Sequence, residues 1–161
     1  MKNNSYTALV KGKSVIFKHI GSSTMPDFKD VTSVSAIPFT SDGDIMAVRL
    51  RHRGIDLPGG HVEAAETTPE ETMNREVMEE ACMTIKNPVL AEVIESDFFD
   101  HPSYMLLYGA YVDELYEFVP STEASERVVL SQVSFLEQYE AGDKELMRVA
   151  IETAWQQLRS S

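Results

Sequence analysis

The sequence predicts a mixed sheet packed with helices, either α+β or an α/β/α sandwich. Three observations lead there. Short strand-like runs punctuated by turn signals fill the first sixty residues. A capped helical stretch starts at Thr68, and a second amphipathic stretch follows Asp143. Strands and helices do not strictly alternate, which separates the chain from a doubly wound parallel sheet. At 161 residues, 43% of them hydrophobic, the chain reads as a single domain over 1–161 with a proper core.

Residues 6–20 read as two short strands around Lys11-Gly12-Lys13. Residues 31–40 and 45–50 read as a hairpin joined by Ser41-Asp42-Gly43-Asp44, since Asp-Gly is a strong turn signal. Pro38 lacks an N–H and suggests that the first of these strands lies at a sheet edge or ends early. Residues 55–63 give a strand fragment interrupted by Pro58-Gly59-Gly60. Thr68-Pro69-Glu70-Glu71 then opens a helix, with a capping threonine and proline at the first helical position. Met73, Val77 and Ala81, spaced by four, form its apolar stripe. Residues 88–99 and 103–113 read as two strands around Asp100-His101-Pro102, and residues 132–140 as a short helix. The last helix carries Met147, Ile151, Ala154, Trp155 and Leu158 on one face.

Charge narrows the function. The net charge is −12, and it is unevenly spread. Residues 1–53 carry 8 Lys/Arg against 4 Asp/Glu, whereas residues 54–126 carry 2 against 17. So acidic a centre argues against an extended nucleic-acid surface, which needs a basic patch. No apolar run reaches the roughly 20 residues that span a bilayer, so no membrane association is expected. The N-terminus has no signal-peptide pattern, and the one cysteine, Cys82, has no internal partner. A reducing cytoplasm is the expected compartment.

The acidic centre has an internal order. On a helix, Glu76 pairs with Glu79 at i+3 and with Glu80 at i+4, so three carboxylates crowd one side of two turns. Like charges at that spacing repel, and a cation reverses the sign. Hard oxygen donors suit Mg²⁺ or Mn²⁺, ions that commonly accompany phosphate substrates. A merely solvated acidic face is the alternative for the glutamates taken alone.

Gly60, Glu66, Arg75, Glu76, Val77, Glu79, Glu80 and Met83 occupy the places of a longer pattern, G-x5-E-x7-R-E-U-x-E-E-x-G-U with U aliphatic, and Leu57-Pro58-Gly59 and His61-Val62-Glu63 flank it. With these residues the chain resembles the Nudix hydrolase family, in its MutT-like branch. The resemblance implies a Nudix-type α/β/α sandwich with a mixed sheet and a catalytic loop-helix. It implies Glu76, Glu79 and Glu80 as ligands of Mg²⁺ or Mn²⁺, with the Gly59 carbonyl as an additional ligand. Arg75 orients those carboxylates by ion pairing, a task that suits a bidentate guanidinium. The chain departs from the pattern twice. Eight residues rather than seven separate Glu66 from Arg75, the extra one falling near Thr67-Thr68 ahead of the helix. Cys82 stands at the glycine position, so the helix is expected to end in a different way, with Cys82 as a small buried hydrophobe.

A general base is sought downstream. Glu126, in Ser125-Glu126-Arg127, is the first candidate on a loop and Glu123 the second, while Glu76 or Glu79 could act instead. Arg49, Arg51 and Arg53 alternate as if along one strand, and are expected either to bind substrate phosphates or to protect an edge strand. His52 would lie on the opposite face as a structural residue, and His61, which follows the diglycine, reads as an ordinary strand histidine or, less expectedly, a neighbour of the site. Phe98, Phe99, Tyr104 and Tyr108 could stack a base or belong to the core. The expected activity is metal-dependent hydrolysis of the pyrophosphate linkage in a nucleoside diphosphate derivative, first of all a (d)NTP giving a nucleoside monophosphate and pyrophosphate. Alternatives are an ADP-ribose or nucleotide-sugar pyrophosphatase, and a non-catalytic nucleotide-sensing module. The partner is therefore a small-molecule nucleotide, and a homodimer is left open.

Overall fold

The computed structural model describes residues 3–161. Among these residues nine strands form one mixed sheet. In chain order they are β1 (Ser5–Val10), β2 (Lys13–His19), β3 (Val31–Phe39), β4 (Ile45–Leu50), β5 (Gly54–Asp56), β6 (Gly59–His61), β7 (Met83–Ser96), β8 (Ser103–Leu115) and β9 (Ala124–Leu130). Helix α1 (Pro69–Ala81) lies between β6 and β7, and α2 (Gln132–Gln138) and α3 (Lys144–Arg159) close the chain. The sheet runs β1-β2-β7-β8-β3-β4-β5, with β6 on β3 and β9 on β4. Among the described residues only β3 and β8 pair in parallel.

Alternation along the strands divides the core between two faces. On β3, Val34 and Ala36 join the α1 residues Met73, Val77 and Ala81. Ile37 and Phe39 turn the other way, toward Ile151, Ala154 and Leu158 of α3 and Phe135 of α2. On β4, Met46 and Val48 follow the first set and Ile45 and Ala47 the second. The result is the expected α/β/α sandwich. Among the described residues no helix is long and apolar enough to cross a membrane.

Several local expectations need correction. The hairpin of residues 31–50 exists, but β3 and β4 pair only at Phe39↔Ile45 and then part. Pro38 does not mark an edge, because β3 is central. Ala36 N–H points to the Pro58 carbonyl and Thr40 N–H to the Asp44 carbonyl, both away from β8. Pro38 sits between them on the same side, in the gap where β3 has parted from β4, so no ladder bond is lost. Residues 124–130, read as a loop running into an apolar stretch, form β9 against the whole of β4. Strand β7 starts at Met83, five residues before the expected 88, because the chain reverses at once after α1.

That reversal runs through Cys82, at φ 52° and ψ 50°. The cysteine takes the left-handed conformation itself, so the helix ends as it would with glycine, at a cost of about 1 kcal/mol. Neighbours hold it there. The Cys82 carbonyl accepts from Tyr116 N and from Arg127 Nη1, and its Sγ accepts from Val119 N at 3.4 Å. Cys82 is half-buried and hydrogen-bonded rather than enclosed as a hydrophobe.

Helix α3 crosses β8 at Gly109, where a Cβ would lie 2.6 Å from the Ala154 Cβ. Overpacking of this kind typically costs about 1–3 kcal/mol. Gly109→Ala is therefore expected to lower the unfolding free energy from urea titration by that amount, and an unchanged value would mean that α3 shifts freely on the sheet.

Candidate active site

The parting of β3 from β4 opens a cleft of about 1040 Å³. Ser33 and Ser35 of β3, residues 59–61 of β6, Asp56 of β5 and the carboxylate face of α1 line it, together with Ser121, Thr122 and Glu123 ahead of β9. Strand β6 presents its backbone to this space. The bonds Ala36 N to Pro58 O and Val62 N to Thr32 O fix the ladder, so Gly59 turns its own N–H and C=O away from β3. Gly59 N–H donates to Glu80 Oε1 at 3.0 Å. Both glycines are required by close approach. A Cβ on Gly60 would meet the Glu76 carboxyl carbon at 2.6 Å, and one on Gly59 would meet Ser35 Oγ at 2.1 Å.

Arg75 organises the acids. Its Nε donates to Glu66 Oε2 at 2.8 Å and its Nη2 to Glu66 Oε1 at 3.2 Å, a bidentate pair. Nη1 reaches Glu76 Oε1 at 2.7 Å, Glu79 Oε2 at 3.2 Å and Glu63 Oε1 at 3.3 Å, and Nη2 also donates to the His61 carbonyl at 2.7 Å. The extra residue after Glu66 does not displace it. The loop absorbs the residue: Thr68 caps the helix through Glu71 N–H, and Thr72 Oγ1 and Glu63 N–H both donate to Glu66. Arg75 beside Glu66 holds that carboxyl down to about 2.

Glu76 and Glu80 are buried, whereas Glu79 is exposed. Burial raises the Glu76 carboxyl above its usual range despite Arg75. Burial pushes Glu80 up to about 8, with Glu123 and Glu76 adding to the rise and the Gly59 N–H opposing it. Glu123 lies close enough to Glu80 for its charge to add to that rise. Among the described residues, no three metal-ligating side chains already converge on one point. Arg75 draws Glu76 and Glu79 to one side while Glu80 turns to Gly59 and Glu123. The donor set still suits a hard divalent cation: carboxylate oxygens, an outward-facing carbonyl, and a carboxyl that a cation would relieve of its proton.

The other sequence candidates divide. Glu123 lines the cleft, but Glu126 does not. Glu126 sits opposite Arg49 in the β4–β9 ladder and pairs with it at 2.8 Å on the exposed face. Arg49, Arg51 and Arg53 do not share one strand face, because β4 ends at Leu50 and residues 51–53 are a turn. Arg51 does not line the cleft and donates from Nε to the carbonyl of Ser121, which does; of the three arginines only Arg53 lines it. His52 and His61 line it too. Sequence reasoning missed Asp56, Tyr6 and Tyr139 at the far end, where burial raises all three above their usual ranges. No local pattern joins residues so far apart in the chain.

The model of the NUDIX domain matches residues 29–149, from the turn before β3 into α3. The chain belongs to the Nudix family. Solved structures agree on the fold. A mutant form of the Bacillus subtilis pyrophosphohydrolase BsRppH superposes with a TM-score of 0.69 at 18% identity, covering 96% of both chains. The MutT protein of Bacillus halodurans gives 0.61 at 24% identity, over 76% of this chain and 82% of its own. The Nudix domain of Shewanella oneidensis NrtR, solved with ADP ribose, gives 0.61 at 18% identity, over 80% and 87%. Among curated proteins no sequence match is found. Nudix hydrolases generally use divalent metals such as Mg²⁺.

A carboxyl raised above its ordinary 4.5 keeps its proton in the folded state after the unfolded chain has lost it. Its contribution to stability is therefore full below about 4.5 and is lost as pH rises toward about 8. In buffer with EDTA, stability from urea unfolding should fall between about pH 4.5 and pH 8 more steeply in the parent than in Glu80→Gln. Equal slopes would assign the titration to another group.

Proposed function

We propose that the protein is a metal-dependent hydrolase of the pyrophosphate linkage in a nucleoside diphosphate derivative. One observation carries this: the glutamates of α1, the outward-facing backbone of Gly59 and the carboxyl of Glu123 share the wall of one cleft, ordered by Arg75. In this reading Glu76, Glu79 and Glu80, with the Gly59 carbonyl, hold Mg²⁺ or Mn²⁺. When bound, the cation neutralises the pyrophosphate oxygens and makes the phosphorus a better electrophile. Arg75 keeps the carboxylates in place through Glu76 and Glu79 while Glu66 anchors its other edge. Glu123, which lines the same cleft, is the general base that accepts a proton from the attacking water. Arg53, at the rim, receives the charge of the substrate.

The products are a nucleoside monophosphate and a phosphorylated second group. For a (d)NTP that group is pyrophosphate; for ADP-ribose or a nucleotide sugar it is a sugar phosphate. All three helix carboxylates are retained, which speaks against a module that senses nucleotides without cleaving them.

A panel of nucleotides with Mg²⁺, scored for phosphate and pyrophosphate release, tests the class, and no turnover on any member would defeat it. Mg²⁺ and Mn²⁺ should raise the melting temperature of the parent but not of Glu80→Gln, by about 2.7 kcal/mol of stability at 100 times the dissociation constant. Glu79→Gln and Glu80→Gln should each cut turnover by orders of magnitude, because the metal supplies several kcal/mol of transition-state stabilisation. Glu123→Gln should lower turnover with little change in metal affinity, and Glu126→Gln should not. The reverse pattern would return the base to Glu126.

The arginines give a separate test. Arg53→Ala should raise KM by about tenfold, the usual loss of a charge-assisted contact. Arg49→Ala should stay within about 0.5 kcal/mol of the parent in KM and stability, as surface changes do. A KM effect at Arg49 equal to that at Arg53 would contradict the division of the row.

A further inference from the structure

Helix α1 ends against its own charge. Its last turn carries Glu79 and Glu80 and no basic residue, although the carbonyl dipoles at a helix C-terminus favour a cation. The cation comes from elsewhere in the chain. Arg127 of β9 donates from Nη1 to the Ala81 carbonyl at 2.8 Å and to the Cys82 carbonyl at 3.0 Å. Both belong to the terminal carbonyls that an α-helix leaves without an internal donor. The guanidinium carbon stands 5.9 Å from the centre of the Phe118 ring, so an aromatic side chain of the β8–β9 connection braces it.

The same connection brings Ser121, Thr122 and Glu123 to the cleft. A tight turn shapes it: Ser121 N–H donates to the Ala124 carbonyl, and Ser121 Oγ accepts from the N–H groups of Glu123 and Ala124. Its β4 side is held by Arg51, whose N–H donates to the Glu123 carbonyl at 2.8 Å and whose Nε donates to the Ser121 carbonyl at 3.1 Å. Its helix side is held at the carboxyl end of α1. Tyr116 N–H donates to the Cys82 carbonyl at 3.0 Å, Val119 N–H meets Cys82 Sγ at 3.4 Å, and Arg127 closes the far end of the loop. Ala81 directly follows Glu80, and Arg127 sits opposite Val48 in the β4–β9 ladder. One side chain therefore links the end of the carboxylate helix to the strand that fixes the Glu123 turn.

We propose that Arg127 is a positioning residue: it holds the β8–β9 connection against the carboxyl end of α1 and so keeps Glu123 facing the helix carboxylates. Arg127 does not line the cleft and acts through Glu123 alone. The inference rests on the reading of Glu123 as the general base. Its chemistry is that of a charge-assisted donor at a helix end. Both bonds leave one nitrogen, so a lysine ammonium, with its charge and three donors, can replace much of the link. A glutamine has no charge to offer and a shorter reach. Loss of the arginine leaves the Glu123 turn tied to β4 by Arg51 but slack toward the helix.

The test uses the full chain with Mg²⁺ and two probes, ATP and ADP-ribose. On whichever is hydrolysed, Arg127→Gln should lower kcat about tenfold and hold KM within about twofold, and Arg127→Lys should recover kcat to within about threefold of the parent. Combined with Glu123→Gln, Arg127→Gln should cost nothing more, because the arginine acts through that carboxyl. A second loss of about tenfold in the double variant would overturn the proposal, and so would an unchanged kcat in Arg127→Gln beside an impaired Glu123→Gln. Amide hydrogen exchange judges the placement without substrate. In Arg127→Gln the amides of Tyr116, Val119 and Ala124 should lose about tenfold in protection while those of β3 and α3 keep theirs. Equal loss in every element, or none in the connection, defeats the positioning role. Full turnover in Glu123→Gln, or no hydrolysis of either probe, would instead sink the reading of Glu123 as base, and the exchange pattern then decides the placement by itself.

Discussion

One guanidinium carries the electrostatic organisation of the site. Arg75 is the only cation within salt-bridge distance of Glu63, Glu66, Glu76 and Glu79 among the described residues, and it also takes the His61 carbonyl. Its two edges do different work. The Nε and Nη2 edge clamps Glu66 and the β6 backbone, which ties the loop after β6 to α1. The Nη1 corner gathers the helix carboxylates. A lysine has no planar fork and could make one of these links but not both. With this arginine removed, two largely buried carboxylates, Glu66 and Glu76, would lose their counter-charge, a loss that typically costs several kcal/mol when a partner of a buried pair is deleted.

Around that knot, the backbone is brought unusually close to the acids. Gly60 lets the Glu76 carboxyl lie directly on β6, and Gly59 lets β6 press against Ser35 while its N–H anchors Glu80. Glu80 is thus buried beside Glu76 and Glu123 with a single backbone donor to offset the repulsion, and its carboxyl is lifted to about 8. The neighbouring Glu66, held by two N–H groups of one arginine, is pulled to about 2. Two glutamates of one loop-helix are driven in opposite directions by burial and by pairing. That contrast separates a carboxylate that only supports the structure from one that would gain by meeting a cation.

The sheet supplies the space. Because β3 and β4 pair at a single position and then diverge, β6 takes the inner side of β3 while β5 and β9 flank β4. The cleft is the gap between these two halves. Its acidic wall comes from α1 and its Glu123 side from the approach to β9. The uneven charge of the chain follows the same division, with the acids of the centre on one wall and Arg53 from the first third at the opposite end.

The sequence alone determined whatever depends on residues close together in the chain. Thr68 and Pro69 set the start of α1, and the spacing of Met73, Val77 and Ala81 set its buried face. The same 3.6-residue period put Glu76, Glu79 and Glu80 within reach of one another and of Arg75, which is why the family was legible. Local spacing could also place Gly59 and Gly60 ahead of that helix. Tertiary structure decided everything that depends on partners distant in sequence. Glu126 and Arg49 looked available until strand pairing set them opposite each other, and that pairing in turn left Glu123 at the cleft. Arg51 and Arg53 looked like continuations of a strand, but the turn after Leu50 separated their directions. Pro38 looked like an edge residue because its lost N–H could be judged only once the gap beside β3 was known. Cys82 looked unfit for a left-handed cap because the bonds from Tyr116, Val119 and Arg127 that hold it there come from more than thirty residues downstream. A helix repeats its own geometry every few residues and can be read from within. A cleft is made by segments whose meeting is fixed by the core between them, and no short window of sequence contains that core.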